Sequence, residues 1–78
     1  MHAISNDPLF NTYEAAAFLA IEPMTLKQSR HTGELFNRPA PKFLKMGRTV
    51  RYRLSTLETY LGQFPELANT AQRDELVP

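Results

Sequence analysis

The sequence predicts a small α+β domain of three helices and one two-stranded antiparallel β-hairpin, in the order α-α-β-β-α. Three observations carry that expectation. Two helix-start signals stand close together near the N-terminus, an alternating apolar and basic segment turns at Gly47, and a third helix-start signal follows at Ser55. Seventy-eight residues make one domain with a marginal core, in which only roughly 60% of the unfolded chain's surface is buried on folding. A large catalytic pocket is therefore not expected. With no Cys there is neither a disulfide framework nor a thiolate zinc site, which fits a reducing cytoplasm. Met1 to Asp7 lacks a basic and apolar leader pattern and no run of 18 apolar residues occurs, so neither export nor a membrane span is expected. The expected layout is a flexible N-terminus over 1–8, one domain over 9–64, and a flexible or partner-docking tail over 65–78.

The first helix spans roughly 12–20. Asn11 is its cap, with Glu14 three residues on as the capping-box partner and Phe10 ahead of the cap, although Thr12 fits the cap position equally. Ala15, Ala16 and Leu19 recur at helical spacing and give a narrow stripe of small residues on which another helix packs closely. The second helix runs from Pro23 to about Thr32. Pro23 suits a first helical position, Glu22 takes the cap, and Gly33 supplies a left-handed stop. Only Ala20 to Glu22 separate the two, which is the spacing of a helix-turn-helix. On a helical wheel Ile21, Leu26 and Ser29 face the first helix, while Met24, Lys27, Gln28 and His31 cluster on the opposite side.

The hairpin covers 43–54. Val50, Tyr52 and Leu54 alternate with Arg51 and Arg53, and Leu44 and Met46 alternate with Phe43 and Lys45. Placing both apolar sets on one face puts Met46 opposite Val50, Leu44 opposite Tyr52 and Lys45 opposite Arg51, around a three-residue loop Gly47-Arg48-Thr49. That register sets two like charges side by side, a repulsion that a phosphate relieves. Phe43 on the basic face either stacks on Arg53 or a sugar, or is buried. The third helix, 56–64, is capped by Ser55 in the capping box Ser55-Thr56-Leu57-Glu58. Leu57, Tyr60, Leu61 and Phe64 form its core-facing stripe, and Pro65 ends it.

Charge is segregated along the chain. Eight of the nine Lys and Arg fall between Lys27 and Arg53, with Glu34 the one acid of residues 24–54, so this segment carries about +7 while each flank carries about −3. A field of this kind is the footprint of a face that meets a polyanion; the bland alternative is a solvated basic surface. The exposed side of the second helix suits a DNA major groove. Gln28 pairs bidentately with adenine, Lys27 reaches guanine or phosphate, and Met24 touches a thymine methyl. Arg30 is expected at the rim, on a phosphate.

A helix-turn-helix, a Pro-containing joint, a hairpin closing in Gly47-Arg48-Thr49-Val50-Arg51-Tyr52-Arg53 and a capped final helix together resemble the small excisionase and AlpA-type regulators. These are bacterial and phage winged helix-turn-helix proteins related in fold to the MerR DNA-binding domain. The resemblance covers about residues 9–64 and rests on Leu9 to Ala16 with Leu19, on Pro23 to Leu26, and on Lys45 to Arg53 with Ser55 and Leu57. It implies a recognition helix over 23–32 in the major groove, with Met24, Thr25, Lys27, Gln28, Arg30 and His31 at the DNA. It also implies a wing bearing Lys45, Arg48, Thr49, Arg51 and Arg53 on backbone or minor groove. Three departures stand out. The family usually carries Gly where Ala20 stands, and an aromatic where Ser29 stands, so that another side chain such as Phe36 must fill that volume. The joint from Glu34 to Pro41 is also long.

The expected function is sequence-specific binding of double-stranded DNA without chemistry, as an excisionase (recombination directionality factor) or a small transcription regulator. The location implied is a bacterial or phage-bearing cytoplasm, at the nucleoid. From resemblance alone come cooperative self-association on DNA and a phage-type integrase partner. The competing expectation is a protein-interaction module, antitoxin-like or an assembly adaptor, using helix 56–64 and the tail. An RNA surface would want exposed stacking aromatics on a sheet, for which Phe43 and Tyr13 are the candidates. No enzyme, cofactor or metal site is expected, because neither His2 nor His31 has an acidic pair or metal-ligand spacing beside it.

Overall fold

A computed structural model describes residues 7–68 of the chain. Its elements in order are β1 (Leu9–Phe10), α1 (Thr12–Leu19), α2 (Pro23–Thr32), β2 (Glu34–Leu35), β3 (Arg38–Pro39), β4 (Leu44–Met46), β5 (Thr49–Arg53) and α3 (Leu54–Leu61). The α+β class with three helices holds, and the strands are more numerous than the two expected. β1, β5 and β4 form a three-stranded antiparallel sheet with β5 in the centre, and β2 and β3 form a separate two-stranded ribbon.

Local chemistry explains the first two helices. Asn11, in extended backbone, accepts from the Glu14 N–H at 2.7 Å, and the Glu14 carboxylate accepts from the Asn11 N–H at 2.9 Å, which settles the cap on Asn11 rather than Thr12. At the far end the Ile21 N–H reaches the Ala16 carbonyl at 2.9 Å and the Ala20 N–H reaches that of Ala17 at 3.1 Å. This is the paired closure of a helix whose next residue is left-handed, and Ala20 sits there at φ 60°. The turn between α1 and α2 is thus as tight with Ala as glycine would make it, and Ala20 carries the strain of a Cβ in that region. α2 begins with Pro23 after Glu22, whose side chain makes no cap bond, and ends at Gly33, φ 80°, whose N–H returns to the Ser29 carbonyl at 2.8 Å. Ser29 is buried, and its hydroxyl is satisfied by the Leu26 carbonyl at 2.6 Å.

The joint after α2 forms its own hairpin. Leu35 pairs with Arg38 around Phe36 and Asn37, whose φ values of 56° and 64° give the doubly left-handed turn that suits a two-residue connection. Phe36 is a poor residue for that backbone. It does not fill the volume beside Ser29 but stays 52% exposed, its ring edge-on to Phe64 at 6.3 Å. Ser29 instead faces the small groove formed with Ala40, Pro41 and Phe43. The ribbon is anchored by Leu35, which is buried and whose carbonyl accepts from the Tyr60 hydroxyl at 2.8 Å.

The register of β4 and β5 corrects the expected one. Leu44 lies opposite Arg51, Lys45 opposite Val50 and Met46 opposite Thr49, which leaves Gly47-Arg48 as a two-residue loop. Turn chemistry overrides face parity here. Gly47, at φ 64°, occupies the first central position, and Arg48 does not have positive φ, the combination of a type II′ turn whose twist matches that of paired strands. A three-residue loop would ask its last member, the β-branched Thr49, to take the left-handed conformation. The parity cost is modest, because β4 is a short edge strand and the Lys45 stem is long enough to carry its ammonium into water. Leu44 and Met46 therefore lie on the opposite face from Val50 and Tyr52, and the expected Lys45–Arg51 cross-strand repulsion does not arise. Phe43 lies on the inner face instead, 6.1 Å from the Tyr52 ring.

α3 also differs from expectation. It starts at Leu54, two residues earlier than predicted and capped from outside rather than by the Ser55 capping box. The Leu54 N–H reaches the Pro8 carbonyl at 3.0 Å and the Ser55 N–H reaches the Asp7 carboxylate at 2.8 Å. Asp7 and Pro8, expected in a flexible N-terminus, thus belong to the domain. Helical bonding ends at Leu61, and Gly62 to Phe64 continue in tighter turns. Leu57 and Tyr60 are buried, whereas Leu61, expected in the core stripe, is exposed. The core joins Ala15, Ala16 and Leu19 of α1, Leu26 of α2, Leu35, Tyr52, Leu57 and Tyr60, with Phe10, Val50 and Phe64 packed at its margin. The rest of the predicted tail, residues 69–78, lies outside the described residues.

Relieving Ala20 should stabilise the domain. Left-handed Ala costs about 1–2 kcal/mol and glycine returns about 0.4–1 of this through the unfolded chain. Ala20→Gly is expected to gain about 0.5–1 kcal/mol in urea denaturation.

Candidate nucleic-acid interface

The helical wheel places α2 correctly. Leu26 and Ser29 are buried, while Met24, Thr25, Lys27, Gln28 and His31 are exposed, Met24 at 59%. Backbone at both ends is fixed by Pro23 and Gly33, so these side chains stand on a rigid rod. None of the five makes a side-chain hydrogen bond or ion pair within the described residues.

Arg30 breaks the expected pattern. It is half-buried rather than at the rim, and its Nη1 donates to the Thr12 hydroxyl and to the Tyr52 hydroxyl, both at 3.1 Å. Its guanidinium carbon also stands 5.7 Å from the centre of the Phe43 ring. Arg30 therefore ties α2 to α1 and to the central strand, and no carboxylate pairs with it among the described residues.

The basic hairpin gives each cation a different setting. Lys45, Arg48 and Thr49 are exposed, and Arg48 stands at the turn without a partner among the described residues. Arg51 is half-buried and its Nη1 donates to the Val50 carbonyl at 2.8 Å. Arg53 lies 3.6 Å from the Asp7 carboxylate with half its side chain exposed. The base of the hairpin is thus partly neutralised and its tip is not. Arg48, Thr49 and Arg51 face Asn11, Thr12 and Tyr13 across an open groove, with Arg30 at its floor.

Asp7 was invisible to sequence reasoning because its partner lies 48 residues away. The Ser55 N–H is the main cause that holds its carboxyl below the usual range; partial burial opposes this, and the Ser55 hydroxyl at 3.0 Å and the Arg53 charge add to it. A carboxylate at the first turn of α3 also meets the positive end of the helix dipole. A second missed group lies at the other end of the molecule, where the Arg38 guanidinium stacks over Phe64 at 5.0 Å beside Phe36. Tyr60 below it has its hydroxyl pushed up by burial, against the opposing charge of Arg38. Among the described residues no group of three or more His, Cys, Asp or Glu gathers as metal ligands, and no helix is long and apolar enough to cross a membrane.

No protein-family model and no curated protein matches the chain. The functional reading therefore rests on residues and geometry.

The Asp7 contacts carry a pH signature. A carboxyl held low in the folded state stabilises the fold above its unfolded value of about 3.9, and that contribution disappears as pH falls through the folded value. Asp7→Ala is expected to melt below the wild type at pH 7, and the gap should close as pH drops below about 4. Thermal melts across pH 2.5–7 decide it; a gap independent of pH would contradict the assignment.

Proposed function

We propose that the protein binds double-stranded DNA sequence-specifically, as a winged helix-turn-helix in which α2 is the recognition helix and the β4–β5 hairpin is the wing. The observation that carries this reading is one helix presenting Met24, Thr25, Lys27, Gln28 and His31, and a hairpin presenting its tip cations Lys45 and Arg48, none of them with a side-chain hydrogen bond or carboxylate partner among the described residues. Gln28 suits the N6 and N7 edge of adenine, Lys27 suits guanine or phosphate, and Met24 supplies apolar contact to a thymine methyl. Lys45, Arg48, Arg51 and the free side of Arg53 suit phosphates, which position the protein without reading sequence. No chemical step is required. The resemblance to excisionase and AlpA-type regulators assigns the role, either excision directionality beside a phage-type integrase or local transcription regulation. Cooperative binding of tandem copies belongs to the same proposal.

Lys27, Arg30, Lys45, Arg48, Arg51 and Arg53 supply about six contacts, which gives a slope of log affinity against log salt of about −5. Fluorescence anisotropy on a duplex library between 50 and 300 mM salt reads it; a folded protein with a slope near zero would refute DNA binding.

The second reading, a protein-interaction module, draws on Phe36 and Leu61, which leave 52% and 42% of their surfaces exposed beside Phe64. The two readings separate by mutation. On the DNA reading Arg48→Ala with Arg51→Ala lowers duplex affinity at least tenfold, and truncation after Leu67 leaves it nearly unchanged. On the interaction reading Phe36→Ser with Leu61→Ser abolishes activity in cells and the two arginine substitutions hardly matter.

A further inference from the structure

Arg30 is a cation without a counter-ion among the described residues. A guanidinium taken partly out of water is normally paired with an anion, because the desolvation of a charge is offset only by a charge or by several good acceptors. Here the protein supplies two neutral hydroxyls, Thr12 Oγ1 and Tyr52 OH, and both accept from the same nitrogen, Nη1. The one ion pair among the described residues is Arg53 with Asp7, elsewhere in the fold. The Nε and Nη2 donors of Arg30 have no acceptor among the described residues. Yet the side chain is not loose: Tyr52 is fully buried, and the Phe43 ring lies 5.7 Å from the guanidinium. A fork of donors is thus held in place by Thr12, Tyr52 and Phe43, with Nε and Nη2 directed to no acceptor among the described residues.

The surroundings say what kind of anion fits. Arg30 lies at the floor of the groove between the first turn of α1 and the tip of the hairpin, and Arg48 and Arg51 line the opposite wall. Three guanidiniums face one channel without a carboxylate among its lining residues. The groove is open to solvent rather than enclosed, as a phosphate within a continuing polymer chain requires. At its mouth Tyr13 leaves 73% of its surface exposed, an aromatic face suited to a sugar.

We propose that this groove seats one phosphodiester of duplex DNA, with Arg30 as its fixed anchor and Arg48 and Arg51 closing over it from the hairpin. The proposal rests on the DNA-binding reading and deepens it. Arg30 lies one turn from Lys27 on α2 but turns its guanidinium inward onto Thr12 and Tyr52, which leaves base readout to Gln28 and Lys27. Its work is to lock recognition helix and wing onto the same stretch of backbone. Thr12 and Tyr52 act as positioning residues, since they hold the guanidinium without bearing charge themselves.

The test uses the intact chain. In protein labelled with ¹⁵N, the Nε–Hε signal of Arg30 is followed while a 16-base-pair duplex, and separately inorganic phosphate, is added. The duplex is expected to shift this signal and slow its exchange with water at the same concentrations that shift α2 amides, while Arg38, at the far end, stays still. Phosphate up to 10 mM is expected to have little effect, because a free anion lacks the flanking contacts. Arg30→Gln should reduce the salt slope by about 0.9, the share of one phosphate, and lower affinity about tenfold for every duplex sequence alike. Tyr52→Phe, which keeps the charge and the ring, should lower affinity severalfold without changing the slope. If the duplex shifts α2 but leaves Arg30 still, or the slope survives Arg30→Gln in a folded protein, the phosphate seat is overturned and DNA binding stands. Tight binding of phosphate alone, saturating below 1 mM, overturns the polymer assignment in favour of a free-anion site. Should no duplex bind under any condition, both readings fall together. Because the first measurement is made on the wild type, it decides the matter even where a variant fails to fold.

Discussion

The contact on which the rest of the structure depends is that between Tyr52 and Arg30. Tyr52 occupies the middle of the three-stranded sheet, opposite Phe10 on β1 and 6.1 Å from the Phe43 ring beyond β4, and none of its surface reaches water. Burying an aromatic ring of this size is a large apolar gain for so small a core. A buried hydroxyl, however, needs a partner, and leaving it without one costs about 1–3 kcal/mol. Arg30 supplies that partner from α2. The same bond turns the arginine inward and ties α2 to the central strand of the sheet. One tyrosine thereby fixes both the packing of the sheet and the disposition of the charges above it.

What was legible in the sequence was whatever closes over a few residues. The Asn11 and Glu14 box, Pro23 at the start of α2 and Gly33 at its end are all satisfied within four positions of themselves, and each falls where the pattern puts it. The buried side of α2 follows from periodicity alone. The hairpin was half legible: its existence follows from alternation and Gly47, but its register set two rules against each other. Face parity favoured a three-residue loop, and the left-handed requirement of the turn favoured two. The turn wins because a strand of three residues at a sheet edge has little apolar surface to misplace, whereas the turn's dihedral angles admit no compromise.

What was not legible is long-range or runs against propensity. Asp7 caps a helix that begins 47 residues later, and nothing local to either segment announces it. The inward turn of Arg30 is of the same kind, since a polar residue next to a buried one on a helix reads as rim. The β2–β3 ribbon hides for another reason. Phe36 is among the last residues one would place at φ 56°, and Asn37, which tolerates its φ of 64°, marks only half of the two-residue turn. That backbone persists because contacts on the other side hold it, namely Leu35 in the core, the Tyr60 hydroxyl on its carbonyl, and the Phe36, Phe64 and Arg38 stack. The ribbon takes up the slack in a joint that seemed too long, and so decides how far the basic hairpin stands from α2.

These constraints also shape the field. A net charge of +1 says little when the acids and bases are placed so unequally. Asp7 lies at the base of the hairpin and partly cancels Arg53, while Arg38 is drawn to the opposite end by Phe64. Among the described residues the cations without a carboxylate partner are Arg30, Arg48 and Arg51 around one groove, Arg38 on the Phe64 ring, and the exposed Lys27, Lys42 and Lys45. Over the roughly 8 Å that charge reaches at physiological salt, a polyanion meets more uncompensated positive charge at the hairpin tip than at its base, where Asp7 offsets Arg53. On the proposed DNA-binding function, attraction so placed orients the molecule ahead of base contact: a phosphate held near the tip leaves the exposed side of α2 turned to the groove beside it. Asp7 thus does more than cap a helix: by muting the base of the hairpin it gives the field a direction.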